Sequence, residues 1–111
     1  MPTTYKRLNA AATASAGTTN VQTLYTNNGT TAIVSTIVVC NTSGAAAQYR
    51  ICVNSGTSFA AAGYIAYDAT VAANDTVYIT AGITLDTTNK YLLVSASNTS
   101  VSFSAFGAEI S

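Results

Sequence analysis

Hydrophobic and polar residues alternate with a period of two along most of the chain, and no run of ten or more residues carries a helical stripe. The segment "QYRICV" (48–53) is the cleanest case. Tyr49, Ile51 and Val53 fall on one face, and Gln48, Arg50 and Cys52 on the other. "TAIVSTIVVC" (31–40) is apolar in both phases, the pattern of a central strand covered on both sides. "NVQTLYT" (20–26) has Val21 and Leu24 out of phase and predicts a short or bulged strand. Further strands are predicted at "YIAYDA" (64–69), "TVYITA" (76–81) and "ITLD" (83–86). "KYLLVSAS" (90–97) and "VSFSAF" (101–106) are expected to pair around the "NTS" turn. Gly107 is expected to be a bulge, because Phe103 and Phe106 otherwise face opposite ways.

Turn signals separate these strands. "NNGT" (27–30) is a tight-turn sequence, since asparagine and glycine tolerate positive φ, while "NTSGAAA" and "NSGTSFAAAG" read as longer loops. Seven to eight short strands with regular turn signals predict an all-β fold, an antiparallel β-sandwich or jelly roll. Its core is expected to hold Ile37, Ile51, Val77, Ile79, Leu92, Val94 and Phe103. Residues 1–19, rich in Ala, Thr, Ser and Gly, lack periodicity; they are expected to form an extended N-terminal arm before a β-sandwich domain spanning 20–111.

Composition changes the picture through what it lacks. Only 7% of the 111 residues are charged, and the net charge is zero, against about 25% charged in an ordinary soluble domain. Lys6, Arg7, Arg50 and Lys90 are scattered, so neither a phosphate-neutralising stripe nor a polybasic membrane patch exists; no nucleic acid and no membrane is expected as a partner. A neutral, hydroxyl-rich β surface is poorly defended against association, which favours a subunit covered in part by other subunits. The N-terminus has basic residues but no leucine-rich centre, so the mature protein is expected to begin near Met1 and to be made in a cytoplasm.

Histidine is absent, which removes the commonest general base and imidazole metal ligand, and no Gly-rich phosphate loop occurs. No cofactor and no catalysis are expected. Asp68, at the end of one predicted strand, and Asn74 and Asp75, before the next, are expected to form turns; a calcium site is the lesser alternative, and a carboxylate pair for glycoside hydrolysis the weakest. Tyr64 and Tyr67 fall in opposite phases, so no single platform is expected from them. Cys40 and Cys52 are expected to be reduced thiols, with a disulfide as the alternative.

Four stretches together carry a likeness: "VSTIVVCN", "YRICV", "YIAYDATVAANDTVYITAGITLD" and "SFSAFGAEI". Over most of the chain after residue 20, they resemble a family of small structural proteins of tailed bacteriophages. The resemblance implies a non-enzymatic virion protein, assembled in the host cytoplasm, of the capsid cement or decoration type. Implied partners are the major capsid protein or other virion proteins, and copies of the chain itself, a trimer by analogy. In that setting Tyr5, Lys6 and Arg7 of the arm are the candidate contacts, the two cations facing acidic capsid residues. The competing expectation is a neck, tail or fibre subunit that recognises host surface glycans.

Overall fold

Valine, isoleucine, threonine and tyrosine suit a pleated surface because their branched or flat side chains pack well against cross-strand neighbours. In a computed structural model, which describes residues 3–110, such segments form nine strands. These are β1 (Thr3–Ala12), β2 (Gln22–Thr26), β3 (Thr31–Asn41), β4 (Ala47–Asn54), β5 (Tyr64–Val71), β6 (Thr76–Ile79), β7 (Ile83–Leu85), β8 (Tyr91–Ala96) and β9 (Val101–Ile110). They build two antiparallel sheets packed as a sandwich. One sheet runs β1-β9-β3-β6, with β7 also on β3; the other runs β2-β8-β4-β5. Within the first, β6 and β7 cover successive halves of β3 and are separated by Gly82, whose φ of 59° lies in the left-handed region.

Most connections change sheet. The expected β8–β9 pair is therefore corrected: β8 lies in the four-stranded sheet and β9 in the five-stranded one. Asparagines make the corners. Asn27, between β2 and β3, is buried; its Oδ1 accepts from Gly29 N–H (3.2 Å) while Nδ2 donates to Asp86 O (3.1 Å). Asn41, at the end of β3, is buried in the same way, with Oδ1 accepting from Ser43 N–H (3.0 Å) and Nδ2 donating to Ala45 O (2.8 Å) and Ala72 O (3.2 Å). The "NNGT" turn thus works through an asparagine side chain, and neither Asn28 nor Gly29 needs positive φ.

Between the sheets, Ile37, Ile51, Leu92, Val94 and Phe103 are fully buried, and Val77 and Ile79 pack against them from the edge. Tyr49 meets Phe103 edge-on, with centroids 6.4 Å apart.

Three expectations are corrected. Residues 3–12 are no free arm: from Thr3↔Ile110 to Ala12↔Ser102 they pair along β9. Their pattern is weak because the ladder holds them while their side chains stay exposed. The expected arm also includes Met1 and Pro2, which lie outside the described residues. Second, β9 carries no bulge at Gly107. The extra residues are Leu8 in β1 and Ser35 in β3, on either side of Phe106. Gly107 serves another purpose, since a Cβ there would sit 1.8 Å from Ile33 O. Third, β3 is covered on one face only, as its alternating burial shows.

Candidate interaction faces

The register of the five-stranded sheet puts Tyr5, Ala108, Ile33 and Thr84 in one cross-strand row on its outer face. A second row holds Ala10, Ser104, Val38 and Tyr78, and a third Ala12, Ser102, Cys40 and Thr76. Phe106 and Arg7 lie between the first two. Among the described residues, Arg7 is the only charged side chain the register places here. Tyr5 is 83% exposed, Tyr78 69%, Phe106 39% and Ile33 37%. Thr3, Tyr5, Ile33, Ser35, Ala108 and Ile110 border a shallow groove of about 250 Å³ across this face. An antiparallel sheet facing water usually shows polar residues there. This one shows aromatic and aliphatic groups among hydroxyls.

The middle of the outer face of the four-stranded sheet is covered by the chain's own loops, while Tyr67 at its β5 edge stays exposed. Cys52 and Leu93, cross-strand neighbours on that face, are fully buried although neither belongs to the core between the sheets. The loop after β4 returns over Cys52, whose Sγ lies 3.6 Å from Ala60 O. Gly63 permits that approach: a Cβ there would fall 2.1 Å from Val53 O. Beside it, Ser95 Oγ donates to Thr18 O (2.7 Å) of the segment joining β1 to β2.

Also on this face, Arg50 Nε donates to Asp68 Oδ1 (2.7 Å) and Nη2 to Asp68 Oδ2 (3.2 Å), a two-pronged ion pair. The guanidinium lies 4.2 Å from the Tyr67 ring centroid and 5.9 Å from that of Tyr64, and the two rings meet edge-on at 4.8 Å. Hydrogen bonding to Arg50 holds the Asp68 carboxyl below the usual carboxylate range, against the opposing effect of burial, and raises the Arg50 guanidinium in return. Two expectations change here. Strict alternation separated Tyr64 from Tyr67, but β5 gains extra residues against β4 between Tyr64 and Ala66 and between Ala66 and Ala69, which resets the phase. Asp68 makes no turn between strands. It sits inside β5 with φ 49°, a left-handed position that aspartate tolerates better than most residues. The signal available in the sequence was one cation and one anion, each inside an otherwise uncharged strand.

Asn74 (φ 55°) and Asp75 lie in the β5–β6 turn; Asn74 N–H donates to Ser43 O (3.0 Å) and Asp75 Oδ1 accepts from Thr76 N–H (2.8 Å). Asp68 is engaged with Arg50 instead of joining them. Among the described residues, no three His, Cys, Asp or Glu side chains gather as a metal site would require. Cys40 and Cys52 are free and lie on opposite outer faces of the sandwich.

Of the three arm residues, Tyr5 and Arg7 point outward, while Lys6 turns to its own chain, with Nζ 2.8 Å from Glu109 Oε1. Tyr25 from the opposite sheet donates its hydroxyl to the other Glu109 oxygen. Lys6 first and Tyr25 second hold the Glu109 carboxyl below its ordinary range, and burial followed by the Glu109 contact raises the Tyr25 hydroxyl above its own.

A cleft of about 560 Å³ lies where β4 ends and β5 begins, beside β7. Asn54, Tyr64, Ile83, Asp86 and Asn89 are among its walls. Asp86 Oδ1 is already occupied by Thr88 N–H (2.9 Å) and Asn89 N–H (2.6 Å), so it closes its own loop. No family model matches this chain, and a search of curated proteins finds no relative.

Proposed function

We propose that the protein is a non-enzymatic structural subunit of a phage virion, a cement or decoration protein whose outer five-stranded face docks on the capsid. One observation carries the reading: that face is broad, rich in Tyr5, Ile33, Phe106 and Tyr78, and bears one cation. Apolar area removed from water there contributes roughly 25 cal/mol per Å², and its hydroxyls hydrogen-bond without the desolvation cost of buried charge. Repetition on a symmetric shell then multiplies modest contacts. The resemblance of four sequence stretches to phage structural proteins supplies the setting. The test is binding of the Ile33→Lys/Tyr78→Lys double variant to particles stripped of the protein. Occupancy should fall at least tenfold while the fold survives. Undiminished occupancy would remove this face from the docking role.

A second reading, a neck, tail or fibre subunit that takes host glycans, is favoured by Tyr67 and Tyr64 beside the Arg50–Asp68 pair. Exposed aromatic rings next to planar polar groups suit sugar rings and their hydroxyls. Saturable binding to a glycan array, lost in Tyr67→Ala, would bring this reading forward.

A further inference from the structure

We propose that β1 is an exchangeable strand: in the assembled protein, β1 of one copy lies on the β9 edge of a second copy. The inference deepens the reading of the chain as a subunit of a repeated assembly.

The strand is held by little that ties it to its own body. It borders β9 alone in the sheet, its side chains are mostly exposed, and only Leu8 and Ala11 pack on the core. Its further anchors are the Lys6–Glu109 pair, Asn9 Nδ2, which donates to Leu24 O (2.7 Å), and Gln22 Nε2, which donates to Ala12 O (3.1 Å). Every one of these contacts is available in the same form on a second copy, so exchange leaves the contact set unchanged and differs only at the hinge.

A hinge is present. Thr13 is fixed to Val101 O through its N–H (2.9 Å) and its Oγ1 (2.7 Å), and Gly17 N–H is fixed to Ala96 O (2.8 Å). Residues 14–16, between these anchors, are exposed and outside any strand; their hydrogen bonds, Ala14 N–H to Gln22 Oε1 (2.9 Å) and Asn20 Nδ2 to Ala16 O (2.7 Å), lie in solvent, where water can replace them. Gly17 has φ 125°, a value that side-chain-bearing residues rarely adopt. Ten strand residues extend ~33 Å, the length of β9 edge that a second copy offers to the exchanged strand. A high concentration of copies favours exchange over closure.

The Lys6–Glu109 contact is itself the probe. Heavy-isotope and ordinary chains are unfolded together and refolded as an equal mixture at high concentration. A carbodiimide then condenses the Lys6 amine with the Glu109 carboxylate into an amide, with loss of water, and the linked peptides are weighed. Exchange predicts heavy–light links approaching half of all Lys6–Glu109 links. Links between like-labelled peptides alone would overturn the proposal. A charge-swap pair gives a second reading: Lys6→Glu and Glu109→Lys variants each carry a repulsive pair, and only exchange between them restores two attractive ones. Mixing should give about a tenfold excess of the mixed over the like-with-like oligomer; no mixed species also overturns it. Both experiments use the purified chain without any shell, so their failure leaves the capsid reading standing, and loss of that reading leaves exchange standing.

Discussion

The two outer faces of the sandwich are built from similar residues and finished differently. On the four-stranded sheet, the loop after β4 and the segment before β2 fold back, and Leu93, Cys52 and Ser95 disappear beneath them. On the five-stranded sheet, nothing among the described residues returns, and Tyr5, Phe106, Ile33 and Tyr78 remain in view. A chain with so few charges has little else to keep an uncovered sheet face from associating. The difference teaches that the covered part belongs to folding, while the bare face is the one free to take the docking role proposed for it.

Mutations can break that comparison. Leu93→Ala on the covered face should cost about 3 kcal/mol, the range for a fully buried leucine, seen as a lowered denaturant midpoint with unchanged slope. Asn41→Ala, which strips a corner of its buried amide, should cost about 2 kcal/mol by the same measurement and leave both outer faces as they are. Ile33→Lys/Tyr78→Lys should change stability by no more than about 0.5 kcal/mol, because solvent already reaches both positions. A loss as large as that of Leu93→Ala would mean that the two faces are equally structural.

The smallest effect concerns pH. Glu109 has its carboxyl depressed below 4.5 in the fold, so the stabilisation it supplies is complete above that value and is lost as pH falls through the lower folded value. Tyr25 behaves oppositely: raised above 10.0, it contributes fully below that pH and progressively less as pH rises further. Amide hydrogen exchange should show β1 losing protection as pH falls below 4.5, before β3 does. Simultaneous loss in both strands would show that the Lys6–Glu109 pair does not hold β1 separately.

How much of this was legible follows from where periodicity survives. The strands from Thr31 onward, and core residues such as Ile37, Ile51 and Phe103, announce themselves because one face must be apolar. β1 escaped because it is held by backbone pairing, which leaves no side-chain pattern. The Tyr64–Tyr67–Arg50–Asp68 cluster escaped because the bulges in β5 break the alternation from which facing is read. Asn27 and Asn41 were visible as turn residues, but not as buried pins reaching carbonyls in distant strands.

The amino-acid sequence by itself determined the strand-forming segments, most of the inner core and the scarcity of charge, since these depend on local composition and a two-residue period. Which strands share a sheet, which outer face the loops cover, and where Lys6 and Asp68 find their partners were decided by the tertiary structure alone. Each of those rests on contacts between residues far apart in the chain, and a single bulge reverses every facing beyond it.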